Sequence, residues 1–138
     1  MNKPKVVIDT NVLLISLSRN SKFRPIFDAL LSNQFTLCVS NEILSEYFEI
    51  IALKTNSVIA TNVVELLLNL PNVEKVEIYF KWNLILADYD DNKFIDTAIA
   101  ANANFIASND SHFNILKEID FPKIEIKTAD EFLKIFSN

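Results

Sequence analysis

The chain has 138 residues, half of them apolar, enough to bury one core and short for two, so a single domain over residues 1–138 is the expectation. Its net charge of −5 argues against a protein that coats nucleic acid through a broad basic surface. No apolar stretch reaches the roughly 18 residues that a membrane span needs. The opening residues run into a strand pattern without a signal-peptide core, and the lone Cys38 has no partner for a disulfide, which points to the cytoplasm.

In chain order, Lys5 to Ile8 is a short β-branched run of the kind found in buried parallel strands, and it stops at Asp9-Thr10-Asn11. Val12 to Leu17 opens a helix. After a polar break at Ser18 to Ser21, Phe23 to Leu31 carries apolar residues at helical spacing, with Pro25 in its first turn. Phe35 to Val39 is the second strand, and Ser40 is placed to cap a helix over about residues 41–53. A third helix over about 57–70 ends before Pro71, and its apolar residues surround most of its circumference, so it should meet a second packing partner.

Val73 to Ile78 reads as a short edge strand or an extended segment, and Asp90-Asp91-Asn92 opens a helix that runs to Asn102. Phe105 to Ala107 is a strand ending at Ser108-Asn109-Asp110, and Phe113 to Ile119 a short helix. Ile124 to Ile126 is the last strand, and Thr128 and Glu131 form a capping box before Phe132, Leu133 and Phe136. Such alternation predicts an α/β fold, a three-layer α/β/α arrangement around a mostly parallel central sheet. Glycine is absent, so Asn102, Asn104 and Asn109 are the expected left-handed turn residues.

Ligands of such sheets bind beyond the carboxyl ends of the strands, where Asp9 and Asp110 lie, although an acid after a strand also serves as a helix cap. Glu46 shares a helical face with Ile43, Tyr47, Ile50 and Leu53, which aims a carboxylate inward and demands a cation, hydrogen bonds or a metal beside it. Asp88, Asp90 and Asp91 are more acids than one helix start requires. Asp96 reads as solvated, and the single histidine, His112, shows no partner at a diagnostic spacing. Lys93, Arg19, Lys22 and Arg24 are candidate phosphate contacts with solvated surface as the plainer reading.

Val6-Val7-Ile8-Asp9-Thr10-Asn11-Val12-Leu13-Leu14 resembles the opening motif of PIN domains. Ser40 to Tyr47 resembles their second motif, with Glu46 as its acid. Asp88 to Ile95, followed by Ala98 to Asp110, is similar to the third and fourth motifs of the subgroup of VapC-like toxins from toxin–antitoxin pairs, and Thr128 to Leu133 also fits that subgroup. The resemblance implies a PIN-like fold and a metal-dependent endoribonuclease. Asp9, Glu46, Asp91 and Asp110 would hold Mg²⁺ or Mn²⁺, supported by Thr10, Asn11, Asn92 and Ser108. It further implies single-stranded or loop RNA as substrate, a 5′-phosphate product and an antitoxin protein as partner. The apolar third helix suggests a homodimer interface, an antitoxin groove, or both.

The chain departs from the pattern twice. The usual spacing of the third acid lands on Asn92, with Asp91 beside it, so either the carboxylate of Asp91 or the carbonyl of Asn92 takes that place. Asn102 and Asn109 stand where glycines are usual. A haloacid-dehalogenase-type phosphatase would need a second acid two residues beyond Asp9, where Asn11 stands, and a receiver domain would need an acidic pair at the first strand. The remaining alternative is an inactive PIN-like module that binds RNA or protein.

Overall fold

The computed structural model describes residues 3–85 and 88–136. Five strands form one sheet: β1 (Lys5–Ile8), β2 (Thr36–Val39), β3 (Val73–Lys75), β4 (Phe105–Ala107) and β5 (Glu125–Lys127), in the order β3-β2-β1-β4-β5. Every pairing is parallel, and Val6 sits in register with both Leu37 and Phe105. Strands buried on both faces need no polar alternation, which is why β1 and β2 read as unbroken apolar runs.

Helices α1 (Thr10–Leu17), α2 (Arg24–Leu31), α3 (Asn41–Lys54), α4 (Ser57–Asn69), α5 (Asn92–Ala101) and α6 (Ala129–Phe136) complete three layers. From β1 the chain steps outward to β2 and β3, then returns past β1 to β4 and β5, so right-handed crossovers put the two halves on opposite faces. Helix α5 packs on β1, β2 and β4, while Phe132 of α6 lies edge-on to Phe35 and Phe105 with centroids 5.2 and 5.3 Å away. Such edge-to-face pairs add to the burial of the rings.

The predicted caps form. The Ser40 hydroxyl accepts from Ile43 N–H at 3.3 Å. Thr128 and Glu131 exchange bonds at 2.8 and 3.1 Å, which holds the Glu131 carboxyl below its ordinary range. Cys38 is buried and its thiol is pushed up to about 11 by desolvation, which leaves it a packing residue.

Several expectations needed correction. The edge strand stops at Lys75 rather than Ile78, because Val76 N–H makes the last bond to β2, on Val39 C=O. Residues Ser111–Glu118 wind as a 3₁₀ helix. Asn102 is left-handed at φ 55°, but its companions in that conformation are Asn33 and Asn83. Asn104 and Asn109 instead use their side-chain carbonyls, which accept from Lys5 N–H at 2.7 Å and Ala129 N–H at 2.9 Å. No helix among the described residues is long and apolar enough to cross a membrane.

Candidate active site

Between β1 and β4 the direction of winding reverses, which opens a crevice beyond the carboxyl ends of these strands. Asp9 leaves β1 at that point, and its N–H donates to Ala107 C=O at 2.9 Å, so its backbone is tied to β4. Although Asp9 occupies the N-cap position of α1, its side chain makes no capping bond. The carboxylate is therefore free for another task. Its Oδ2 accepts from the Ser108 hydroxyl at 2.7 Å, and Ser108 Oγ accepts in turn from Asp110 N–H at 3.0 Å. Burial pushes Asp9 up to about 6, the Ser108 bond opposes that rise, and the charges of Asp91, Glu46 and Asp110 add to it.

Glu46 reaches the same place from α3. The buried stripe of that helix is Ile43, Leu44, Tyr47 and Ile51; Leu53 lies outside it, so Glu46 sits on the flank of the stripe. Tyr47 is wholly buried and its hydroxyl donates to Ile8 C=O, which pins α3 against the end of β1. Thr10 then donates its hydroxyl to Glu46 Oε2, and Lys93 Nζ lies 2.6 Å from Oε1. The inward carboxylate thus has both a hydroxyl and a cation as partners.

Asp91 ends the 3₁₀ turn Tyr89–Asp91 just before α5, and its Oδ2 lies 3.1 Å from His112 Nδ1. Asp110 caps the following turn by accepting from His112 N–H at 2.9 Å, and its Oδ1 is 3.4 Å from the same ring nitrogen. The ring is drawn toward its charged form by the hydrogen bond to Asp91 and by Asp110, whereas burial raises Asp91 against that bond. Asp88, Asp91 and His112 offer donor atoms that all lie within 4.8 Å of one another. A set of hard oxygens with one imidazole nitrogen suits a divalent cation.

Asn92 is committed elsewhere. It is buried, its Oδ1 accepts from Ile85 N–H at 2.9 Å, and its Nδ2 donates to Ile85 C=O at 2.8 Å. Asn11 is exposed on the first turn of α1. Asp96, expected in solvent, is buried and accepts from Trp82 N–H at 3.0 Å. Lys22 and Arg24 pair with Asp130 and Asp28 at 2.8 and 2.9 Å.

Sequence reasoning underrated His112 and Lys93. Each carried a signal: His112 lies two residues beyond Asp110, the reach of a side-chain-capped turn, and a lysine at a helix start opposes the helix dipole unless an acid holds it.

A family model for the PIN domain matches residues 5–112. Among solved structures the chain is similar to VapBC2 from Rickettsia felis bound to a DNA fragment from its promoter, at TM-score 0.62 and 15% identity, over 90% of this chain and 98% of that one. It is likewise similar to VapBC-1 from nontypeable Haemophilus influenzae, at TM-score 0.58 and 15% identity over 91% and 98%. A third likeness is to the PIN domain endonuclease Utp24, at TM-score 0.51 and 20% identity over 90% and 84%. No curated protein sequence matches.

Proposed function

The chain belongs to the PIN-domain family, and on that premise we propose that it is a metal-dependent endoribonuclease, the toxin of a toxin–antitoxin pair. The observation that carries the reading is the buried Asp9 carboxylate, left out of helix capping and close enough to Glu46, Asp91 and Asp110 for all three to raise it. Ionised acids around a buried carboxylate repel it, and a cation held among them would relieve that repulsion. Asp9, Glu46, Asp91 and Asp110 are the proposed ligands of Mg²⁺ or Mn²⁺, and Asp88 and His112, whose donor atoms lie within 4.8 Å of one another and of Asp91, are further donors. Asn92, with both ends of its amide bonded to Ile85, acts as a brace for the segment that leads into Asp91.

A bound cation would supply charge stabilisation at the phosphoryl group and a more acidic attacking water. The chain's own groups position the reaction. Ser108 orients Asp9, Thr10 orients Glu46, and exposed Asn11 would hydrogen-bond water or phosphate. In the hydrolysis a water oxygen bonds to phosphorus, the bond from phosphorus to the 3′-oxygen breaks, and that oxygen takes up a proton. The product keeps a 5′-phosphate.

Calorimetric titration with Mn²⁺ tests the reading, paired with cleavage of single-stranded RNA before and after chelation. Saturable heat together with chelator-sensitive cleavage is expected. No saturable heat would make the chain an inactive binding module.

Helix α4 buries Ala60, Val63 and Leu67, yet exposes Val58, Ile59, Leu66 and Leu68. Beside it Leu44, Phe48, Val64 and Leu68 line an open groove against α3. This face is the proposed contact for a second copy and for the antitoxin, in line with the VapBC assemblies whose fold the chain shares. Sedimentation at tens of micromolar should find a dimer; a monomer there would remove the homodimer from the proposal.

A further inference from the structure

A second surface lies beside the carboxylate site and away from α4. After β3, residues 76–85 run beside α5 without regular structure, and there the chain displays Phe80, Lys81 and Trp82 in succession. Phe80 is 64% exposed and lies edge-on to Trp82, with centroids 4.9 Å apart at 71°. Phe121, 81% exposed on the loop before β5, lies edge-on to the other side of Trp82 at 6.0 Å and 72°. At those exposures both phenyl rings keep most of their faces in water, an arrangement that packing within the chain does not explain.

Two shallow grooves meet at this patch. One is lined by Val76, Phe80, Trp82, Asp96 and Ile99. The other is lined by Lys81, Asn83, Asn92 and Lys93 together with the acids Glu42, Asp90 and Asp96; Lys81 lies 4.0 Å from Glu42, and Lys93 is the residue bound to Glu46. Asp96 belongs to both, so the aromatic surface continues into the carboxylate site. Asp96 also holds the patch in place, since it accepts from Trp82 N–H.

We propose that Phe80, Trp82 and Phe121 form a stacking platform for unpaired bases of an RNA strand whose backbone passes Lys81 and Lys93 on its way to the carboxylates. The proposal rests on the ribonuclease reading and adds to it how the strand is gripped. Stacking is the means of grip: with two lysines along the path, counterion release contributes little, so most of the affinity must come from contacts indifferent to salt. Aromatic faces stack any base and reject paired ones, whose faces are covered by their neighbours in the duplex. Lysine between aromatics fits the phosphates that alternate with bases. A protein partner is the competing occupant, and continuity with the acidic site favours RNA.

Trp82 is the only tryptophan, so its fluorescence reads the platform directly. In chelator, so that nothing is cut, a short single-stranded RNA of mixed sequence should quench Trp82 saturably and with weak salt dependence, and the duplex of the same sequence should not. Phe80→Ala and Phe121→Ala should each weaken that binding about tenfold, with unchanged circular dichroism and unchanged Mn²⁺ affinity. Equal quenching by duplex, or RNA affinity indifferent to both substitutions, would overturn the platform. So would dissociation of an oligomer by Phe80→Ala with RNA binding intact, which would assign the patch to protein contact. Mn²⁺ calorimetry on the same protein, freed of chelator, separates the two readings: a protein that binds Mn²⁺ while Trp82 ignores RNA loses the platform alone, and one that binds no Mn²⁺ loses the nuclease.

Discussion

Asp9→Asn is expected to abolish metal-dependent RNA cleavage and, in the same protein freed of metal, to raise stability at neutral pH. Loss of the proposed central ligand should cost more than the about 10–100-fold that partners of metal ligands cost when removed. The gain in stability follows from the raised carboxyl. With a folded value of about 6 against 3.8 when exposed, native Asp9 holds a proton across that interval that the unfolded chain has released. Its contribution is therefore fully present below pH 3.8 and lost as pH rises through 6, where the ionised group weakens the fold by about 3 kcal/mol. Asparagine mimics the protonated acid and still accepts from Ser108.

Urea denaturation in chelator should accordingly give a variant about 2–3 kcal/mol more stable than wild type at pH 7, with the two converging near pH 4. Mn²⁺ at a hundred times its dissociation constant should return about 2.7 kcal/mol to wild type and little to the variant. Full cleavage by the variant, after removal of contaminating nucleases, would sink the assignment of Asp9. A variant less stable than wild type at pH 7 would sink the electrostatic account while leaving the catalytic one open.

What could be read from the sequence divides along the range of the interactions. Strand ends and helix caps depend on residues within a few positions of one another, so Asp9 and Asp110 after strands, Ser40 at a cap and the reciprocal pair Thr128 and Glu131 were all legible. Glu46 was legible as inward-facing, because helical spacing reports which side of a helix is buried. Its partners were not, since Thr10 and Lys93 come from other elements.

The turn asparagines show the limit of composition. Absence of glycine correctly implies asparagine in left-handed positions, but which asparagines depends on tertiary needs: Asn104 and Asn109 are taken by backbone N–H groups of distant strand and helix starts, leaving Asn33 and Asn83 to turn the chain. Asp96 was misread for the same reason. Its partner, Trp82 N–H, lies on an irregular segment whose path leaves no periodic trace. The position at Asn92 could not be decided locally either, because a side-chain amide in that place could serve a cation or, as found, the backbone of Ile85.

Lys93→Met should move stability and metal affinity in opposite directions. The ammonium is 13% exposed, lies 2.6 Å from a carboxylate that is 25% exposed, and stands at the start of α5, where the helix dipole disfavours a cation. In the metal-free protein it is the positive charge paired with Glu46, so its loss leaves that acid with Thr10 and the nearby Asp9 carboxylate. A fully buried pair broken in this way costs about 3–5 kcal/mol; partial exposure lowers the expected loss to about 1–3 kcal/mol. Methionine keeps most of the aliphatic stem, so packing contributes little to the difference. A cation held by Glu46 would compete with Lys93 for its carboxylate and would be repelled by the ammonium charge. Removing that charge from a few ångströms away should tighten Mn²⁺ binding by about tenfold or more. Denaturation in chelator and calorimetry with Mn²⁺ read the two effects separately. Lower stability with unchanged Mn²⁺ affinity would mean that Lys93 and Glu46 stay paired when the cation binds, which would strike Glu46 from the ligands and leave Asp9, Asp91, Asp110 and His112 to hold it.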